Sequence, residues 1–147
     1  MTDPKVSRLK TPEECESFIQ NVKATHPDLV VQARRRAVEL RAAAFGVKND
    51  AERDAIQAVY AAEAALTHRN GKKTRASRTW QSIERWGIIQ AVERVVTRRK
   101  ETEGYQILAE LGMLDHSFEA VVLRHPSAFS AEAVESSRSR LAQHGDA

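Results

Sequence analysis

The chain of 147 residues holds one cysteine, Cys15. That excludes an internal disulfide and a thiolate metal cluster, and it fits a reducing cytoplasm. Six Gly and four Pro are too few to punctuate many short strands. Apolar runs are short: the Ala-Val-Val-Leu stretch from Ala120 to Leu123 is among the longest, against the roughly 20 residues a bilayer-spanning helix needs. No membrane span is expected. Residues 1–10 are polar and precede no small-residue cleavage site, so no secretory signal is expected either. No period of repeat architecture and no sustained strand alternation is present.

The composition that remains is that of an ordinary folded domain, 41% hydrophobic and 29% charged. Its apolar residues recur at three and four, which predicts an all-α fold: a compact bundle of seven or eight helices forming one domain over residues 11–143, with flexible ends at 1–10 and 144–147. Thr11-Pro12-Glu13-Glu14 is a capping box with Pro in the first turn, and the helix it starts presents Cys15, Phe18, Ile19 and Val22 on one face. Cys15 on that face reads as packed rather than reactive. Pro27 opens a second, long helix that Gly46 ends. Asn49, three residues before Glu52, caps a third, Ala-rich helix that stops at Asn70-Gly71. The four-residue link at 46–49 predicts that the second and third helices form an antiparallel hairpin.

Beyond Gly71 the elements shorten. Ser77 is read as the cap of a helix carrying Trp80, Ile83 and Trp86, closed by Gly87. Ile88 to Thr97 forms the next, giving a helix-turn-helix-like pair. Gly104 to Leu111 is a further helix, Asp115 is expected to cap another with Phe118, Val121 and Val122, and Ser130 caps the last.

A search for catalytic chemistry returns little. The five histidines show no metal-ligand spacing, and Asn70-Gly71-Lys72-Lys73-Thr74 lacks the first glycine and the preceding strand of a phosphate loop. No base stands by Ser136-Ser137. The chain is therefore read as a non-enzyme without metal or cofactor.

Charge is the informative feature. The net +3 is unevenly spread: from Arg69 to Lys100 there are ten basic residues against Glu84 and Glu93. The local field, not the total, is what attracts a polyanion. Arg69, Lys72, Lys73, Arg75 and Arg78 surround a helix start whose amides favour phosphate. Thr74 and Ser77 add neutral donors, Arg85, Arg98, Arg99 and Lys100 flank the same helices, and Arg75, Arg78 and Gln81 are the candidates for base edges. Together these predict nucleic-acid binding, to duplex DNA through phosphates, with roughly 5 to 8 contacts and a slope of log affinity against log salt of about −4 to −7. Trp80 reads as core and Trp86 as a surface stacking residue or an anchor against a neighbouring helix. Arg34, Arg35 and Arg36 are second-tier candidates, with nearby acids as their alternative partners. The protein would act as a regulator or as the DNA-binding part of a larger complex, and a homodimer is compatible with that role. The alternative is an adaptor in which the same cations meet an acidic protein and Met113, Leu114, Phe118 and Phe129 supply an apolar docking face.

Overall fold

Side chains cap six of the nine α-helix starts among the described residues of the computed structural model, three of them, Thr11, Asn49 and Ser130, as expected; the structure describes residues 2–47 and 49–143. The expected flexible C-terminus, 144–147, lies outside them. All regular structure among the described residues is helical. By packing, the chain divides into two compact units, Met1–Gly46 and Val47–Ala147, where the sequence predicts one domain over 11–143.

The first unit holds three helices: α1 (Pro4–Ser7), α2 (Pro12–Val22) and α3 (Pro27–Phe45). Helix α1 lies in the segment expected to be flexible. It is held because Val6 is fully buried, Asp3 caps it through the Lys5 amide at 2.8 Å, and the Asp3 amide donates to Gln32 Oε1 on α3 at 2.6 Å. Thr11 Oγ1 accepts from the Glu14 amide at 3.1 Å. The Glu14 carboxylate reaches back one residue further than a capping box requires, to the Lys10 amide at 2.7 Å. Helices α2 and α3 pack along each other and, joined by a short link, make an antiparallel pair. The hairpin of this unit is therefore α2 with α3. The expected partner of α3, the third long helix, belongs to the other unit, because the division falls at Gly46.

Cys15 is buried in the first unit. Burial pushes its thiol above its ordinary value against the pull of Arg36, which suits a packed residue rather than a nucleophile.

The second unit contains α4 (Asp50–Asn70), α5 (Ser77–Trp86), α6 (Ile88–Val96), α7 (Glu103–Glu110), α8 (Phe118–Arg124) and α9 (Ala131–Ala142). Asn49 caps α4 through the Glu52 amide at 2.8 Å. Gly71, at φ +70°, turns the chain out of it. The small side chains Ala55, Ala58 and Ala62 let α4 approach its neighbours. They form one core with Val59, with Val92, Val95 and Val96 of α6, and with Phe118, Val121 and Val122 of α8. Trp80, Ile83 and Phe129 pack on its edge.

Two starts differ from expectation. Ala76, not Ser77, is the cap residue of α5, and it has no side-chain cap of its own. Ser117 rather than Asp115 caps α8, accepting from the Ala120 amide at 3.1 Å, because Asp115 is drawn into a 3₁₀ turn over Leu114–His116. Thr102 supplies an unforeseen cap for α7, through the Tyr105 amide at 3.1 Å.

A buried network ties the C-terminal helices together. The Arg140 guanidinium donates to Glu119 Oε2 at 2.7 Å and to the Arg98 carbonyl, while the Tyr105 hydroxyl donates to the Arg140 carbonyl at 3.1 Å. The side chains of Glu119 and Arg140 are 2% and 7% exposed. Burial pushes the Glu119 carboxyl upward, and the bonds from Arg140 offset this only in part.

Candidate nucleic-acid interface

The basic tract lies entirely in the second unit, and one carboxylate from α4 organises its start. Glu63 Oε2 accepts from the Ala76 amide at 2.9 Å and from Trp80 Nε1 at 2.6 Å. It also stands 3.7 Å from Arg75 Nε. Glu63 thus satisfies the amide of the cap residue and, through the Trp80 indole, ties the first turn of α5 to α4. Trp80 is held in the same place, edge-on to Tyr60 with ring centroids 5.4 Å apart. Trp80 is therefore a packing residue. A carboxylate at this amide also occupies part of the anion-favouring helix end, which shifts any phosphate contact toward the exposed side chains.

The connection before α5 is built by its hydroxyls. The Thr74 amide donates to Thr67 Oγ1 at 2.9 Å, and Thr74 Oγ1 donates to the Lys72 carbonyl at 2.9 Å and accepts from Asn70 Nδ2 at 3.1 Å. Thr74 is spent on the turn. Lys72 and Lys73 project from it, exposed. On α5, Ser77, Arg78, Gln81 and Arg85 are exposed. Arg78 and Arg85, seven apart, share a face about 10 Å along the helix from each other.

The predicted cations separate into two sets. Arg69 lies between Glu103 at 3.6 Å and Glu110 at 3.8 Å of α7, and Arg75 has Glu63, so neither projects as an uncompensated charge. Lys72, Lys73, Arg78, Arg85, Arg98, Arg99 and Lys100 are all exposed and make no ion pair among the described residues. Arg98 to Lys100 form the turn after α6. From Lys100 the chain reaches Glu103 within about 11 Å, and the ion pair of Glu103 with Arg69 ties Glu103 to the end of α4 from which the Lys72–Lys73 connection departs.

Of the two acids in the tract, one is taken by the fold. Glu93 is committed to the start of α9, accepting from the Ser130 hydroxyl at 3.0 Å and from its amide. Glu84 is exposed on α5.

One arrangement lay outside the sequence reading. Trp86, 41% exposed, carries the Arg94 guanidinium over its ring at 3.8 Å and that of Arg85 at 4.9 Å. Trp86 ends α5 and Arg94 is on α6, so no single-helix spacing signals the pair. The turn at Gly87, with φ +89° and ψ 166°, brings them together. That turn is one residue long, shorter than the three or four of a helix-turn-helix.

Two expectations lose their support. Met113, Leu114 and Phe118, in and just after the α7–α8 connection, are buried, and Phe129, between α8 and α9, packs on the core; among the described residues no apolar docking face forms from them. Arg34, Arg35 and Arg36 are only partly exposed and belong to the first unit, where Arg36 donates to the Leu9 carbonyl at 3.0 Å.

Among the described residues no group of three or more potential metal ligands converges, and no helix is long and apolar enough to cross a membrane. Comparison with protein-family models, curated proteins and solved structures finds no match to this chain.

Proposed function

We propose that the second unit binds nucleic acid, duplex DNA in the first instance, by its phosphate backbone. The observation that carries this reading is a set of exposed cations on and around α5 and α6, among them Lys72, Lys73, Arg78, Arg85, Arg98, Arg99 and Lys100, without carboxylate partners among the described residues. Cations of this kind release counterions when they meet a polyanion, which is the main source of backbone affinity. Gln81 and Arg78, exposed on the same helix, are the candidates for base contact. Arg69 and Arg75 act within the fold and do not form part of the contact set.

The test is fluorescence anisotropy with a labelled mixed-sequence duplex over a salt series. Wild type is compared with Lys72→Glu/Lys73→Glu/Arg78→Glu, whose three positions are exposed and unpaired. The expected wild-type slope is about −4 to −6, and the triple variant should lose binding at all but the lowest salt. A folded wild type that fails to bind at low salt overturns the reading and directs the search to an acidic protein partner of the same surface.

A further inference from the structure

We infer that Arg85, Trp86 and Arg94 form a clamp for one backbone phosphodiester, with Trp86 as a positioning residue; the inference rests on the nucleic-acid reading above. Both guanidinium groups lie against one indole, at 4.9 Å and 3.8 Å from the ring. They are therefore no farther apart than the sum of those distances. Two cations so close repel each other, and the negative face of the ring offsets only part of that. Neither finds a carboxylate among the described residues: Glu93, beside Arg94 in sequence, is turned to Ser130. The excess positive charge is left for an anion from outside.

A guanidinium held over an aromatic ring still has N–H groups directed away from the ring, and these can fork onto two phosphate oxygens. Stacking also restricts the rotamers of two long side chains before the ligand arrives, which lowers the ordering cost of binding. A phosphodiester and a carboxylate each carry one negative charge, so the preference for the phosphodiester rests on its repetition along a backbone. Arg85 lies on the same face of α5 as Arg78, so the clamp continues a row of cations that a repeating anion can follow.

The experiment is the same anisotropy titration with the labelled duplex, on Arg94→Ala, Trp86→Leu, Trp86→Phe and Trp86→Leu/Arg94→Ala, each checked for folding by circular dichroism. Arg94→Ala should weaken binding and make the salt slope shallower by up to about 0.9, the share of one phosphate. Trp86→Leu should weaken it by about two- to fivefold with both cations retained, the size of one exposed cation–π contact, and Trp86→Phe should recover part of that. In the double variant the two losses should not add, because Arg94 without its platform has less to lose. Additive losses, or an Arg94→Ala variant that binds and titrates like wild type while the triple charge reversal still abolishes binding, overturn the clamp and leave the parent reading intact. A wild type that does not bind overturns both.

Discussion

Glu63 offers the sharpest test of how the basic tract is held. Its Oε2 accepts from the Ala76 amide and the Trp80 indole, with the side chain only 15% exposed. Bonds to an ionised acceptor contribute about 1.5 to 3 kcal/mol each. Glu63→Ala removes both and leaves two poorly hydrated donors, so the second unit should lose about 3 kcal/mol, taking the lower figure because water can reach the site in part. Glu63→Gln keeps one acceptor oxygen and should cost about 1 kcal/mol. For a unit of this size each kcal/mol lowers the melting temperature by about 4–8 °C. Guanidinium denaturation followed by tryptophan emission and far-ultraviolet circular dichroism reads both changes. The same Gln variant removes the negative charge beside Arg75, so it should bind duplex DNA at least as tightly as wild type, with a salt slope steeper by up to about 0.9. A Glu63→Ala variant within about 0.5 kcal/mol of wild type would refute the claim that this carboxylate fixes the start of α5.

Glu119→Ala should destabilise by about 3–5 kcal/mol, since it leaves the Arg140 charge buried, whereas Glu119→Leu/Arg140→Met should be far milder; denaturant titration of the two separates pair from packing. The Asp54 carboxyl, 2.7 Å from His125 Nε2 and 3.2 Å from Arg124 Nε, is raised by burial but more than compensated by these partners, and it lies below its ordinary value. Its stabilisation is present above the unfolded value near about 3.9 and lost as pH falls through the lower folded value, so Asp54→Asn should flatten the acid limb of stability against pH. Glu119, raised instead, contributes the opposite sign, with stability lost as pH rises from the ordinary carboxylate range through its folded value. Gly87→Ala should cost about 1–3 kcal/mol by thermal melt: nothing lies within 4 Å of an added Cβ, but φ +89° with ψ 166° is a region that only glycine occupies readily.

Legibility followed the range of the interaction. Thr11, Asn49 and Ser130 were readable as caps because acceptor and amide stand three residues apart, and Gly46 and Gly71 because a left-handed stop is a local requirement. The start of α5 was not. The carboxylate that meets its cap amide is Glu63, thirteen residues upstream on another helix, and nothing in the local sequence around Ser77 marks it. Asp115 and Ser117 are both good cap residues by type, and the 3₁₀ turn that decides between them depends on Leu114 being buried. In the candidate interface, charge and exposure were legible for Lys72, Lys73, Arg78 and Arg85. The removal of Arg69 from that set was not, since its partners Glu103 and Glu110 follow tens of residues later. The Trp86–Arg94 stack was hidden for the same reason: it crosses a turn whose geometry is set by one glycine.

Several acids of the second unit are committed within the fold and so are not shared with the exposed cations of the proposed contact set. Asp54 is taken by His125 and Arg124, Glu63 by Ala76 and Trp80, Glu93 by Ser130, Glu103 and Glu110 by Arg69, and Glu119 by Arg140. Each of these carboxylates holds a helix start or ties one helix to another. Neutralising the outer cations with them would cost the fold its own contacts. At physiological salt a field decays over about 8 Å, so the exposed groups attract a small anion only weakly and one at a time. On the proposed reading, a partner that strings its charges along a backbone would meet Lys72, Arg78, Arg85 and Arg94 together and release a counterion at each contact, so that cations individually weak would act as one surface.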